Sequence, residues 1–482
     1  MSELEPFQTP WSARPWRRVL VYGLGLSGRA AAAFLRRRGV TVLGVDARPA
    51  KELELGALGE DPDFSVLAGE EPRVLPGELD AVVLSPGVPA DRPAVAAARA
   101  AGLPVIAEVE LAFPFLHGTV VGITGSNGKS TTTAMTGHLL RETGVPVEVC
   151  GNIGLPLTEV ADGEPGRVFV VELSSFQLEA TDTFRPRAAA LLNLSPDHLD
   201  RYPGMAEYAA AKRRIFLRQD GDDVAVLNAD DPAVADIGVP ARRRLFSRRG
   251  AVEDGAWVEG DAVFEGGRGA AGARPLFAAG DVPLPGPHHL ENAMAAALLA
   301  LAAGAPREAI ATGLRSFRGL PHRTEPVGEL GGVRFFDDSK GTNVGATARA
   351  LEGFADSTVH LILGGRGKGT GLGDELLRLV ERKVRRAYLI GEEAERFRGE
   401  LEGVAPWHLS GRMEVAVAEA AAAARPGEVV LLSPACASFD QYRNYHHRGE
   451  HFQELVRGLA AAKDTSMDGA QGAPYGRGVA SA

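Results

Sequence analysis

One stretch constrains this chain more than any other: Thr124-Gly125-Ser126-Asn127-Gly128-Lys129-Ser130-Thr131. It follows the apolar run Val120-Val121-Gly122-Ile123 and opens onto a predicted helix from Lys129 to Arg141. A strand that turns through glycines into a helix aims free backbone N–H groups and the positive helix end at one spot, which suits a phosphate. Lys129 is then placed to reach terminal phosphates, and the Ser130 hydroxyl to ligate Mg²⁺. The plainer reading is a Gly-rich turn with no ligand, but Gly-Lys-Ser-Thr at a helix start is unusual for a mere turn. The common Gly-x4-Gly-Lys-Ser/Thr spacing needs a glycine at position 123, where Ile123 stands. The loop is a variant phosphate grip.

A chain of 482 residues has room for roughly two to four domains. Its net charge of −10 argues against a general nucleic-acid binder, since phosphate backbones select basic surfaces. No run approaches the roughly 18–20 apolar residues of a transmembrane helix, so no membrane insertion is expected. Residues 1–14 lack the basic start and apolar core of a secretory signal. Two cysteines, Cys150 and Cys436, cannot build a disulfide framework, and a cytoplasmic location is expected. Lysine usage says more. Of 52 basic residues only seven are lysines, so a retained lysine points to a need for a compact ammonium or an amine that can lose its proton. Lys129, Lys340 and Lys368 lie in Gly/Ser/Thr-rich segments, and Lys212 follows a His/Asp cluster.

Apolar strand-like runs alternate with helical ones, which reads as α/β with mostly parallel sheets. The first unit places the strand Arg18–Tyr22 before Gly23-Leu24-Gly25-Leu26-Ser27-Gly28, a helix to about Arg38, and a strand Thr41–Val45 that ends at Asp46. That is a dinucleotide fingerprint, and alone it suggests an NAD-dependent oxidoreductase. A further strand, Ala81–Leu84, runs into Ser85-Pro86-Gly87. The second unit carries the phosphate loop, strands at Val168–Val171 and Ala188–Leu192, a helix near Met205–Leu217, patchy short strands over 242–287, and helices at Glu291–Ala303 and Pro306–Phe317. The third has strands at Val333–Phe336, Val359–Leu363, Ala387–Ile390 and Val429–Leu432. The expected division is 1–107, 108–319 and 320–463, with 464–482 a disordered Gly/Ala/Ser-rich tail.

Several strand ends carry chemistry. Glu172 ends a buried strand, where α/β sheets seat ligands, and is expected to face a Mg²⁺ opposite Ser130; the competing role is a helix N-cap acid. His198 lies among carboxylates in Asn193-Leu194-Ser195-Pro196-Asp197-His198-Leu199-Asp200 and is read as a ligand. Lys212 follows within a basic helical stretch, where a solvated charge is the plain reading. Asp337-Asp338-Ser339-Lys340-Gly341-Thr342-Asn343, Leu363-Gly364-Gly365-Arg366-Gly367-Lys368-Gly369 and Ser433 to Gln441 end three strands of one domain. Together they suit a small anionic substrate.

With these segments in place the chain resembles the Mur ligases, from about Val19 to Leu459. The resemblance rests on Thr124–Thr131, Gly151-Asn152-Ile153-Gly154, Val171–Leu178, Asp197–Tyr202, Gly319-Leu320-Pro321-His322-Arg323, Asp338–Asn343 and Leu432–Gln441. It points in particular to members that add D-glutamate to UDP-N-acetylmuramoyl-L-alanine. It implies a Rossmann-like N-terminal domain for the UDP end of the substrate, a central P-loop ATPase domain and a Rossmann-like C-terminal domain. It also implies a two-step reaction through an acyl phosphate in peptidoglycan precursor synthesis.

By the same resemblance Leu26, Ser27, Asp46, Arg48, Gly87 and Asn152 contact the UDP substrate. The loop Thr124–Thr131 binds ATP together with Asn292, Arg323 and Asp338. Lys129, Glu172, His198 and Lys212 are catalytic. One Mg²⁺ rests on Ser130 and Glu172 and a second on His198 and Lys212, the latter carbamylated because an ammonium cannot ligate a cation. Lys340, Thr342, Lys368, Ser438, Phe439 and Tyr445 form the D-glutamate pocket. A monomer is the expected assembly.

Arg366 stands where a related protein has an acid, and Phe439 and Tyr445 stand where other residue types also occur. The rival within the family is a ligase for another amino acid. The Asp-Asn-Pro-Arg signature of the meso-diaminopimelate enzymes is absent from 320–463. From other classes, an NAD-dependent oxidoreductase rests only on Gly23–Gly28, and a nucleotide-controlled binding module would release phosphate without any amino acid.

Overall fold

The computed structural model describes residues 7–468 apart from Arg73, Pro76, Ala90, Leu199, Asp200, residues 268–271, Lys368 and Thr370. They form two compact units. The first runs to Pro283 and takes in Leu290–Phe317; the second consists of Leu284–His289 and the chain from Arg318 onward.

The first unit contains two sheets built on parallel strands. Its N-terminal sheet has the order Phe64–Ala68, Thr41–Asp46, Arg18–Tyr22, Ala81–Leu84, Val105–Ala107, parallel throughout. The strands read as near-continuous apolar runs because helices cover them: Val19, Leu20, Val21, Val42 and Val45 are fully buried. The chain builds outward from Arg18–Tyr22 to one side, then returns to build the other, so a crevice opens at the ends of Arg18–Tyr22 and Ala81–Leu84. The helix Leu26–Arg36 presses close to that turn, and a Cβ on Gly28 would stand 1.7 Å from Gly23 O.

A hairpin, Phe7–Thr9 with Ser12–Trp16, precedes this sheet and was not legible in the sequence. Its aromatic residues hold it: Phe7 packs on Trp16, Phe34 and Phe115, and the Arg38 guanidinium lies 3.5 Å from the Phe34 ring centroid. Strands this short carry too little periodicity to read.

The second sheet has nine strands, in the order Arg274–Ala278, Ala262–Gly266, Gly255–Glu259, Arg242–Ser247, Val224–Asn228, Ala188–Leu191, Gly118–Thr124, Arg167–Glu172, Val147–Gly151. Only the edge pairs involving Ala262–Gly266 are antiparallel. These short edge strands are the patchy region 242–287. The helix Lys129–Arg141 starts and stops where the sequence placed it. The helix expected from Glu291 begins earlier, at Pro287, where a proline costs no intrahelical hydrogen bond.

The second unit holds a six-stranded sheet: Glu325–Leu330, Val333–Asp337, Val429–Leu432, Val359–Gly364, Val384–Ile390, Trp407–Gly411. All pairs are parallel except the first. The helix Tyr445–Asp468 runs past Lys463, where a disordered tail was expected to begin, because an established helix propagates at little cost. The remainder of that expected tail, 469–482, lies outside the described residues.

Candidate active site

The phosphate loop leaves the strand Gly118–Thr124, whose neighbours are Arg167–Glu172 on one side and Ala188–Leu191 on the other. Three strand ends therefore meet: the loop itself, Glu172, and the segment from Asn193 to His198. Gly128 caps the following helix at φ 81°, and a Cβ there would stand 2.4 Å from Asn292 Oδ1. Asn193 braces the loop: Oδ1 accepts from the Asn127 amide at 2.8 Å, and Nδ2 donates to Asn127 O at 3.1 Å. The Ser195 amide donates to Ser126 Oγ at 3.0 Å, and Tyr208 OH lies 3.2 Å from the same hydroxyl. Asn193 and Tyr208 were not singled out from sequence; the parallel strand before Asn193 was the available signal. Thr124 Oγ1 donates to Leu173 O at 2.8 Å, and Thr132 Oγ1 to Asn292 Oδ1 at 3.3 Å.

Two lysines converge on one carbonyl. Lys129 Nζ donates to Gly125 O and Ser126 O, both at 2.9 Å, and Lys212 Nζ donates to Gly125 O at 2.8 Å. Lys212 is 1% exposed, which rules out the solvated-charge reading, and its Nζ lies 4.6 Å from the Tyr208 ring centroid. Burial first, then the charge of Lys129, push its pKa well below the ordinary lysine value, against the pull of Asp197 and Glu172. A lysine whose pKa is lowered gives up its proton more readily and can then act as a nucleophile, whereas a guanidinium at this site stays charged.

Glu172 is also 1% exposed. Its Oε1 accepts from Asn152 Nδ2 at 2.7 Å, while Oε2 has no partner among the described residues. A buried carboxylate oxygen left open beside a phosphate loop fits a cation. Ser174, not Glu172, caps the helix Ser175–Glu179, through a capping box with Gln177. Asn152, expected against the UDP substrate, is here the residue that orients Glu172.

His198 sits at φ 54°, a left-handed angle that a β-carbon disfavours and that often marks a functional turn. Its ring meets Phe176 edge-on at 4.8 Å, and Nε2 lies 3.6 Å from Asp197 Oδ2. His198 lines a cavity of about 740 Å³ with Gly87, Arg92, Phe176, Arg201 and Tyr202. Arg201 stacks 3.8 Å from the Phe176 centroid and pairs with Glu179 at 3.0 Å.

A second cavity, of about 430 Å³, fills the crevice of the N-terminal sheet and shares Gly87 and Arg92 with the first. Of the residues read as UDP contacts, Leu26, Ser27, Asp46 and Gly87 line it; Tyr22, Glu71, Ser85 and Arg92 line it too. Asp46 accepts from the Leu24 amide at 2.7 Å and from Arg48 Nη2 at 2.8 Å. The Arg48 hydrogen bond brings its pKa down to about 2 despite burial. Arg48 grips Asp46 and is not itself among the residues lining the cavity. The carboxylate fixes the glycine turn by its amide, which is the fingerprint acid acting on its own backbone.

In the second unit the strands Val333–Asp337, Val429–Leu432 and Val359–Gly364 are adjacent, so the three polar loops leave one sheet edge side by side. Arg366 and Ala437 exchange backbone hydrogen bonds at 2.9 and 3.0 Å, which joins two of them. Lys340 Nζ lies 3.8 Å from the Tyr445 ring centroid. Ser438 is 1% exposed and its Oγ has no hydrogen-bond partner among the described residues; Phe439 is 62% exposed. Thr342 leaves the same edge, and Lys368 lies outside the described residues. Asp338 is buried: Ser433 Oγ donates to it at 2.7 Å and the Thr324 amide at 3.1 Å, and burial raises its pKa to about 7. Arg323 belongs to the turn His322–Thr324, in which both flanking residues take positive φ. His322, Glu325 and Asp337 gather within 4.8 Å, but His322 Nδ1 already bonds Asp337 Oδ2 at 2.7 Å and Gln453 Nε2 donates to both acids, so the cluster closes on itself.

Three family models match the chain: a Mur ligase MurD-like N-terminal domain over 17–107, a Mur ligase middle domain over 123–300, and a Mur ligase glutamate ligase domain over 322–436. The UDP-N-acetylmuramoylalanine–D-glutamate ligase of Acidobacterium capsulatum is 45% identical over 459 residues, covering 93% of this chain and 99% of the relative. The protein of that name from Myxococcus xanthus is 44% identical, covering 92% and 98%. In fold, the chain is similar to the UDP-N-acetylmuramate-alanine ligase of Thermotoga maritima, with a TM-score of 0.58, 18% identity, and coverage of 92% of this chain and 100% of that one. A MurF ligase from Thermotoga maritima, solved in complex with ADP, gives a TM-score of 0.55 at 18% identity, covering 92% and 96%. With a phosphate loop and an open buried carboxylate at adjacent strand ends, a buried lysine on the loop's own carbonyl, and relatives matching almost end to end, the chain belongs to the Mur ligase family.

Proposed function

We propose that this chain joins D-glutamate to UDP-N-acetylmuramoyl-L-alanine at the expense of ATP, in cytoplasmic synthesis of peptidoglycan precursors. The observation that carries the reading is the convergence of Lys129 and the buried Lys212 amine on Gly125 O of the phosphate loop. Glu172, with one open oxygen, ends the strand beside the one that feeds this loop. Near end-to-end similarity to D-glutamate ligases supports the substrate pair.

In the first step a carboxylate oxygen of the substrate attacks the γ-phosphorus, and the bond to ADP breaks. In the second, the D-glutamate amine attacks the acyl carbon, loses a proton, and phosphate departs from a new amide. The loop amides and Lys129 stabilise the charge spread over the moving phosphoryl group. Asn292, Arg323 and Asp338 complete the ATP site. Leu26, Ser27, Asp46 and Gly87 hold the UDP end, with Arg48 fixing Asp46 and Asn152 orienting Glu172. Lys340, Thr342, Lys368, Ser438, Phe439 and Tyr445 take D-glutamate.

Ser130 and Glu172 would hold one Mg²⁺, and His198 with Lys212 a second, the open Glu172 oxygen being the fit. Bound there, Mg²⁺ supplies charge neutralisation to the phosphates. For its share, the Lys212 amine, once deprotonated, adds to carbon dioxide, forming an N–C bond and releasing a proton, to leave an anionic carbamate. The division 1–107, 108–319 and 320–463 assigns these tasks to three domains.

Phosphate release is to be followed with ATP, UDP-N-acetylmuramoyl-L-alanine and a panel of amino acids. Strict dependence on D-glutamate is expected. Dependence on another amino acid, or on none, contradicts the reading.

A further inference from the structure

Arg448 is 1% exposed, among the largest fully buried side chains of the molecule, yet no carboxylate pairs with it among the described residues. Its guanidinium is spent on carbonyls and a hydroxyl. Nε donates to Ser339 Oγ at 3.0 Å, Nη2 to Ser339 O at 2.8 Å and Cys436 O at 3.1 Å, and Nη1 to Ala437 O at 3.3 Å. Burial pulls its pKa down to about 10, which leaves the side chain charged at neutral pH. A buried cation without an ion pair is expensive, and an apolar side chain of similar length would fill the space at lower cost.

Its placement gives the reason for keeping it. Ser339 belongs to the loop that carries Lys340 and Thr342, and its Oγ also donates to Tyr445 O at 2.8 Å. Cys436 and Ala437 belong to the loop that carries Ser438. Ala437 also exchanges backbone hydrogen bonds with Arg366 of the third loop. One guanidinium therefore ties together two loops of a single sheet edge, and the residue next to its Ala437 contact is Ser438, whose buried hydroxyl has no hydrogen-bond partner among the described residues. An orphaned buried hydroxyl on a loop that a buried cation holds by its backbone is complementary to an anionic oxygen.

We propose that Arg448 is a positioning and specificity-determining residue of the amino-acid pocket: it fixes the Ser438 hydroxyl and adds buried positive charge that favours an amino acid with a second carboxylate over its neutral amide. The inference rests on the ligase reading above and adds a residue and a selectivity to it.

The test is steady-state kinetics of the full chain and of Arg448→Met, Arg448→Lys, Ser339→Ala and Ser438→Ala, with thermal melts to confirm folding. Arg448→Met should raise KM for D-glutamate by about 10-fold or more, with KM for ATP and for the UDP substrate unchanged. It should also narrow the preference for D-glutamate over D-glutamine. Arg448→Lys should keep much of that preference, since charge remains, but lose part of the affinity, since the fork is gone. Ser339→Ala, a small change that removes one contact, should move KM for D-glutamate in the same direction and less far. The double variant Arg448→Met/Ser438→Ala should be no worse than the poorer single variant, because the two act as one unit.

Equal effects on all three KM values, an unchanged D-glutamate preference, or effects of Arg448 and Ser438 that multiply would overturn the proposal. Should Arg448→Met fail to fold, the Lys and Ser339→Ala results decide by the same criteria. Wild-type turnover that ignores D-glutamate would overturn the ligase reading itself, and this inference with it.

Discussion

Lys212 shows how much one side chain can carry. From sequence it was a basic residue in a basic helical stretch, and only its being lysine in an arginine-rich chain set it apart. Burial makes the difference, because a lysine 1% exposed and bonded to the same carbonyl as Lys129 cannot be a solvated charge. Lys212→Ala should lower turnover on the order of 100-fold, and a short carboxylic acid in the assay should restore part of it. Lys212→Arg should be as inactive and show no rescue; wild-type turnover in either variant would remove the residue from the mechanism. His322 gives a second test at this scale. Burial opposes its charge, but the Asp337 hydrogen bond and charge more than offset this, so its pKa is raised. A raised histidine contributes stability that is fully present below its unfolded value and is lost as pH rises through the folded one. His322→Gln should therefore cost about 3 kcal/mol below about pH 6.5, with the gap to wild type closing as pH rises. Urea melts across that range check it, and a gap that widens with pH would contradict the pairing.

The secondary-structure elements were legible where a long periodic run met a glycine turn. The helix Lys129–Arg141 and the strands Ala81–Leu84 and Val429–Leu432 lie where the apolar pattern put them. The aromatic hairpin Phe7–Trp16 was missed because each strand is too short to show a period, and the edge strands of 242–287 were blurred for the same reason. Site residues at strand ends could be named, but their partners could not. Asn193, Tyr208 and Arg448 act through contacts spanning 66, 82 and 109 positions, which no local pattern encodes. The Gly-x-Gly fingerprint was legible and ambiguous, since the same turn serves any anion at a helix end. Two outcomes separate the choices. UDP at 100 times its Kd should stabilise the chain by about 2.7 kcal/mol, and NAD should leave the melting temperature unmoved; stabilisation by NAD alone would reverse the assignment. At the phosphate loop, Gly128→Ala should cost about 1–2 kcal/mol for the left-handed angle and weaken ATP binding by crowding Asn292. ATP affinity equal to wild type in calorimetry would show that the loop does not seat the nucleotide.

For the whole molecule, three sheets each present a polar crevice at the ends of adjacent parallel strands, and each crevice has a different chemistry. The N-terminal one offers a glycine turn and a helix start, the central one a phosphate loop with two lysines and an open carboxylate, and the C-terminal one a lysine, an orphaned hydroxyl and a buried guanidinium. Together they match a nucleotide-linked acid, a phosphoryl donor and a small anionic amine, which is the substrate set of an acid–amino-acid ligase. The claim on which everything else depends is that phosphate passes through the substrate's carboxylate. UDP-N-acetylmuramoyl-L-alanine labelled with oxygen-18 in both carboxylate oxygens, turned over with ATP and D-glutamate, tests it directly by mass spectrometry of the released phosphate. The acyl-phosphate route predicts one oxygen-18 in each phosphate, carried over when the acyl carbon–oxygen bond breaks. Unlabelled phosphate would mean that ATP is hydrolysed by water, and would contradict it.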